Sequence, residues 1–508
     1  MKLGKCKILY PALITLALIA GSCDNYLDLK PYDALTSDQL LTSDAGMKGM
    51  ANGSLRMMKD VLGEEENNVY VRVLFQVTEF ASDNVVIKSS TTDPLWLSFN
   101  QKHILSQENV SYLWTTGYKI IHNSNTVINN VQIDENTSDE AKQYIGESYF
   151  YRGVVYFDLS RVFTFPPSQD NDHTNNWGMV LRTGVGEPDS KPRATVDETY
   201  KQIISDFKKS AELMTMRPTD GIKYGNRYAA YGYLSRAYLF TQQYDSVIYF
   251  ANMLLDGNSP FELDSRDTYI HGLQDSYDSK ENLFIIYYSP SENKGLGAIG
   301  SMYNGDGGWG EVYPSKPFRD LIAKYPNDIR NQLIDSVDAN NDGIVDKYPG
   351  TNIDMFYVYK FSYQDGISTL CSPIFMRLSE VYLNRAEAYA HLGEDQLALD
   401  DVNKIRQRAG LSGDELITMG NLTSVHGYST VLEAVLDERR LELAFEGYRR
   451  DDLLRNKIDL NRSYVSAQNI KGTTDITPYN APRQIYYIPA SDEIAYNPLC
   501  QQNELIKQ

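Results

Sequence analysis

FMRLSEVYLNRAEAYAHLGEDQLALDDVNKIRQRAG, residues 375–410, is the stretch that decides the fold. Phe375, Leu378, Tyr382, Ala386 and Tyr389 recur at steps of three and four, a spacing that predicts a helix with one buried face. His391 to Glu394 break the pattern. Ala398, Val402, Ile405 and Ala409 then repeat it, and Gly410 supplies a stop with Arg406 and Arg408 in the last turn, where cations suit the negative end of the helix dipole. The product is an antiparallel helix pair, with small Ala386, Ala388 and Ala398 where two backbones approach closely.

A second segment, Tyr228 to Leu255, has the same layout. It carries Ala237-Tyr238, a break near Thr241 to Tyr244, then Val247, Ala251 and Leu254. Ala251 stands thirteen residues after Tyr238, as Val402 stands thirteen after Tyr389. A helix hairpin repeated with a unit of roughly 34 residues is the tetratricopeptide signature, in which neighbouring hairpins share one core. Two unrelated helix pairs in an α-rich domain would show the same periodicity.

The run RLSEVYLNRAEAYAHLG followed by ALDDVNKIRQRAG closely resembles the core signature of the SusD/RagB family of outer-membrane nutrient-binding lipoproteins. DERRLELAFEGYRRDDLLR at Asp437 to Arg455 and IYYIPASDEIAYNPLCQQN at Ile485 to Asn503 extend the likeness in matching order. The resemblance implies a mostly α body of tetratricopeptide-like hairpins with a loop-rich, partly inserted ligand-binding region. It further implies a non-catalytic surface lipoprotein that binds oligosaccharide or peptide and passes it to a SusC-like, TonB-dependent β-barrel transporter.

Whole-chain properties bound the alternatives. A chain of 508 residues with 42% apolar and 23% charged content can bury a large core. Its net charge of −19 argues against generic binding of nucleic acid or anionic lipid headgroups. Tyrosine, at 38 residues, is abundant, and rings with neutral amides suit polyol or peptide ligands better than phosphates.

Met1 to Ser22 read as a signal peptide: Lys2, Lys5 and Lys7 precede an apolar run from Ile8 to Ala20 that is too short for a stable membrane span. Ala20, Gly21 and Ser22 lead into Cys23, a lipoprotein processing site, although Ala20 stands where the strongest pattern has Leu. Two or three acyl chains on Cys23 would moor the body, since each buried methylene contributes about 0.8 kcal/mol. Residues 23–508 then form one body, tethered through its N-terminal lipid. Cys371 and Cys500 remain, and both are read as reduced core residues, because a separation of 129 positions says nothing of their distance in space.

Taken in order, Thr36 or Ser37 caps a helix running to Lys59, with Leu40, Leu41, Met47, Met50 and Leu55 as its apolar side. Val69 to Phe80 fits helix or strand, and Ser82 to Asn109 is loop-like. Helical hairpins are expected near 112–160, 200–255, 375–410 and 431–456, with a loop-rich region near 256–370 in which Leu283 to Tyr288 is a short buried strand. In the helix Val431 to Phe445, Glu438, Arg439, Arg440 and Glu442 read as an ion network joining it to its neighbour. Tyr479 to Asn503, punctuated by prolines, reads as an extended strap.

No HExxH, GxSxG or P-loop is present, and the six histidines show no metal-ligand spacing. A glycoside hydrolase needs two carboxylates at fixed separation, which 67 acidic residues provide by chance without singling out a pair. The binding reading rests on loop aromatics: Trp96, Phe99 and Asn100 in one segment, and Tyr303, Asn304, Trp309 and Tyr313 in MYNGDGGWGEVYP. Ring faces stack on the apolar face of a sugar while amides satisfy its hydroxyls. Separately, DANNDGIVD places Asp338, Asn340, Asp342, Ile344 (through its carbonyl) and Asp346 as the first, third, fifth, seventh and ninth residues of a calcium loop, with Gly343 sixth. Pro349 replaces the bidentate glutamate at the twelfth position. The loop is therefore either a structural Ca²⁺ site completed by a remote carboxylate or an ion-free turn; no other cofactor is called for.

Overall fold

The structure, a computed structural model, describes residues 41–504 apart from 42, 60–68, 88–94, 174, 218, 258 and 468–474. Cys23, the signal peptide and the cap at Thr36 or Ser37 lie outside the described residues.

The helices follow the apolar spacing. α1 spans Asp44–Lys59 and α2 Tyr70–Glu79, which resolves the ambiguous segment as helix. All ten residues of α2 are buried, so its apolar character is continuous rather than striped and gives no period to read. After the short α3 (Leu95–Phe99), two long helices pair: α4 (Glu108–Asn130) and the aromatic α5 (Asp139–Phe163). α6 (Val196–Leu213) starts at a capping box, in which Thr195 and Glu198 each accept the other's backbone N–H. α7 (Arg227–Phe240) and α8 (Tyr244–Leu255) form the next pair. Helices α4 to α8 pack in sequence order, and α8 carries the stack on to α11 (Leu378–Leu392), which pairs with α12 (Asp395–Ala409). α13 (Val431–Glu442) lies against both members of that last pair.

The deciding stretch folds as two helices, with one correction. Phe375 does not begin the first of them: Ile374–Arg377 form strand β6, antiparallel to β2 (Asn282–Ile285), and the helix starts at Leu378. Phe375 still points inward, at 4% exposure, because β6 is covered on both faces. Ala386, Ala388, Ala398, Val402, Ile405 and Ala409 are all buried. Gly410 adopts φ +99°, and a Cβ there would lie 1.6 Å from the Arg266 guanidinium, which donates to the Ala409 carbonyl. Only glycine fits that stop.

The loop-rich region holds more regular structure than its composition suggests. α9 (Arg266–Gln274) and α10 (Lys316–Ile322) each begin at a serine whose hydroxyl accepts a backbone N–H of the first turn. Among the described residues, three two-stranded ribbons place strands in this region. β1 (Val85–Ile87), within the segment read as loop, pairs with β3 (Val312–Pro314), and β4 (Ile334–Ser336) pairs with β5 (Phe356–Val358). Cys371 and Cys500 are both buried free thiols.

Buried charge clamps this region to the helices. Glu442, on α13, lies within 2.5 Å of both Arg377 and Arg408 and 3.3 Å from Arg330. Arg330 also meets Asp328 and Glu438, Arg377 also meets Glu281 and Glu446, and Lys360 pairs with Glu446 at 2.6 Å. Burial raises the Glu442 pKa, but Arg408, Arg377 and Arg330 outweigh it and hold the carboxyl well below the usual range. Arg330 precedes β4 and Lys360 follows β5, so both strands of that ribbon are tied at its base to one cluster. The expected network at Glu438 to Glu442 is present, and it reaches well beyond one neighbouring helix.

Candidate functional site

The loop from Tyr303 to Val312 is built to present one ring. Trp309 is 52% exposed, while the residues that carry it are sunk into the body. Its backbone N–H donates to the Ser301 carbonyl at 2.6 Å, and Glu311 N–H donates to the Met302 carbonyl at 2.8 Å. Asn304, almost wholly buried, donates to the Ser362 hydroxyl and the Ser368 carbonyl and accepts from Asp306 N–H. Gly308 is required here: a Cβ would lie 2.3 Å from the Asn304 carbonyl oxygen.

Of the residues expected to touch ligand, five are internal. Tyr303 packs against Phe80, Phe361 and Phe445, and burial drives its hydroxyl pKa well above the usual value. Tyr313 is fully buried and donates to the Gly310 carbonyl at 2.7 Å, stapling the end of the Trp309 loop. Phe99 and Asn100 are buried at the end of α3, and Arg462 lies over the Phe99 ring. With Asn304, these side chains are spent on holding the loops and are not displayed. Trp96 is half-buried and tilts against Phe99 at 5.6 Å. The β1–β3 register sets Ile87 across from Val312, three residues past Trp309.

Three further rings, which the sequence reading passed over, lie along the loop that carries Trp309. On β5 and its extension, Tyr357 and Tyr359 alternate with buried Val358 and are half-buried on the opposite face. The Tyr357 ring backs the loop: Cβ atoms built on Gly305 and Gly310 would meet it at 2.2 and 2.8 Å. Tyr359 lies 5.7 Å from Tyr363, whose hydroxyl donates to exposed Asp306 at 3.0 Å. Burial first, then that bond, raises the Tyr363 pKa, so it remains a neutral phenol at physiological pH. The period-two tyrosines of FYVYKFSY were the available signal. Together these groups make a ring surface edged by one carboxylate, a chemistry that stacks on and hydrogen-bonds polyols.

The candidate calcium loop spans the tip of the β4–β5 ribbon, where its carboxylates accept backbone N–H groups. Asp338 accepts from Asp342 and Gly343 N–H groups, Asp342 from Ile344, and Asp346 from Ala339. Among the described residues no three His, Cys, Asp or Glu side chains gather as a metal site. Asn340 and Ile344 are exposed, and Pro349 offers no twelfth ligand.

Comparison with known proteins gives the family of this helical frame. The SusD family model matches residues 302–504, and a second model, described as starch-binding associating with outer membrane, matches residues 25–239. The chain belongs to the SusD/RagB family. SusD-like protein P38 of Formosa agariphila is 23% identical over 496 residues, covering 89% of this chain and 92% of its own. A SusD superfamily structure from Bacteroides thetaiotaomicron aligns at TM-score 0.77 and 24% identity, covering 91% of this chain and all of that one. A laminarin-binding SusD-like protein aligns at TM-score 0.66 and 20% identity, covering 90% and 98%. The mostly α fold is thus that of the SusD superfamily. Among the described residues no helix is long and apolar enough to cross a membrane.

Proposed function

We propose that the protein is a non-catalytic lipoprotein of the outer-membrane surface, tethered through acylated Cys23, that captures an oligosaccharide and delivers it to a SusC-like, TonB-dependent β-barrel. The observation that carries this reading is the half-exposed indole of Trp309, held on a loop whose own polar groups are satisfied beneath it. Tyr357, Tyr359, Tyr363 and Asp306 continue the surface. The family description as starch-binding and the laminarin-binding neighbour support a glycan as cargo. Trp96, half-buried against Phe99, is assigned to the same surface.

The test is calorimetry on the body lacking Met1 to Cys23, titrated with laminari- and malto-oligosaccharides. Trp309→Ala should weaken binding about tenfold or more, since stacked aromatic anchors dominate such contacts. Its melting temperature should match wild type, because half of the ring already lies in water. Unchanged affinity would remove the site, and new reducing ends appearing during incubation would overturn the non-catalytic assignment.

A further inference from the structure

A second concavity opens at the C-terminal end of α1. It encloses about 330 Å³ between Asn52, Leu55, Arg56 and Lys59 of α1, Lys223 and Tyr224 of the turn before α7, and Ile286, Tyr287 and Glu292 beyond β2. That size is in the range of small-molecule sites, which run from about 300 to 1,000 Å³. Its charge sets it apart from the rest of the molecule. The chain carries a net charge of −19, yet this lining sets three cations against one carboxylate.

The cations are held in different ways. Lys59 bridges to Glu292 at 2.6 Å, and its ammonium lies 5.3 Å from the Tyr288 ring centre. Lys223 pairs with Asp220 at 2.9 Å and sits 3.8 Å over the face of Tyr287. Arg56, exposed at the rim, has no hydrogen-bond or ion-pair partner among the described residues. Its planar fork of donors matches a carboxylate. Asn52 accepts from Arg217 through its amide oxygen, leaving the amide nitrogen to donate. Leu55 and Ile286 supply an apolar floor.

A chain of contacts links the segments that carry the two surfaces. Asn293, next to Glu292, donates to the Thr369 hydroxyl at 2.9 Å, and the adjoining Ser368 lies against Gly307 of the Trp309 loop. We propose that this cleft is a second carbohydrate subsite, selective for a sugar unit bearing a carboxylate, with Arg56 and Lys223 reading the charge. The inference rests on the oligosaccharide reading above and adds a substrate class: an acidic polymer that contacts rings at one place and cations at another.

The probe is trigalacturonate, titrated at low and high salt, with maltotriose as the neutral control. Wild type should bind trigalacturonate saturably and more tightly than maltotriose, and salt should weaken it. Arg56→Ala combined with Lys223→Ala should cost at least tenfold for trigalacturonate while leaving laminari-oligosaccharide binding and the melting temperature unchanged. Arg56→Glu, a single change at an exposed position, should do the same. Absence of saturable trigalacturonate binding, equal affinity for maltotriose, or indifference to both variants overturns the proposal. Laminari-oligosaccharide binding reports separately on the Trp309 surface, so failure here and failure there are distinguishable.

Discussion

Replacing Glu442 with Gln should reveal how strongly the buried charges hold the β4–β5 ribbon. Glu442 is fully buried and is shared by Arg330, Arg377 and Arg408. Gln keeps the shape but removes the charge and turns an amide donor toward guanidinium groups. Breaking one partner out of a buried ionic pair costs about 3–5 kcal/mol. Glu281, Glu438, Glu446 and Asp328 continue to neutralise the three arginines, so we expect the lower end, about 3 kcal/mol at pH 7. The assay is urea unfolding followed by far-ultraviolet circular dichroism. The pH dependence adds a second readout. Because the folded pKa of Glu442 is depressed, its contribution is fully present above the unfolded value of about 4.3 and fades as pH falls toward the folded one. The gap between wild type and variant should therefore narrow below about pH 4. A loss under about 1 kcal/mol at neutral pH, or a gap that widens in acid, would refute the claim that this cluster clamps the region. Lys316→Gln, which breaks an exposed pair with Asp320, should leave the unfolding midpoint where it was.

Two other outcomes are expected. Gly410→Ala should destabilise by at least about 1 kcal/mol, since L-residues are strained at positive φ and the new methyl would strike Arg266; a melting temperature equal to wild type would contradict it. Asp158→Asn should gain stability relative to wild type between about pH 4 and 7, because burial raises the folded pKa of this carboxyl to about 7 against the pull of Arg161 and Arg236. Over that window the unfolded chain ionises first, so the acid form loses ground while the amide does not. Thermal melts at pH 4.5 and 7.5 would show the difference, and parallel pH profiles would count against it.

The helix pair at 378–409 was legible because both members combine a steady apolar period with glycine at the αL position after each, Gly393 and Gly410. Phe375 misled because a step of three fits a helix equally well; its strand conformation comes from Asn282–Ile285, ninety residues upstream, and no local period records that pairing. The network around Glu442 was legible only on its own helix, since Arg330, Arg377 and Arg408 arrive from distant segments. At the site, aromatic loop residues looked interchangeable in the sequence. Tyr303, Tyr313 and Trp309 share one glycine-rich run, and only the packing separates the two that anchor from the one that is displayed.

The strap of the last residues has a consequence for biosynthesis. Tyr486 N–H donates to the Val162 carbonyl, the Asn503 amide donates to the carbonyls of Phe163 and Tyr486, and Arg193 donates to the Asn503 side chain. Helices made in the first third of translation are thus locked by residues made at its close. Native closure must wait until position 503 has left the ribosome, so the early helices lack these bonds throughout synthesis.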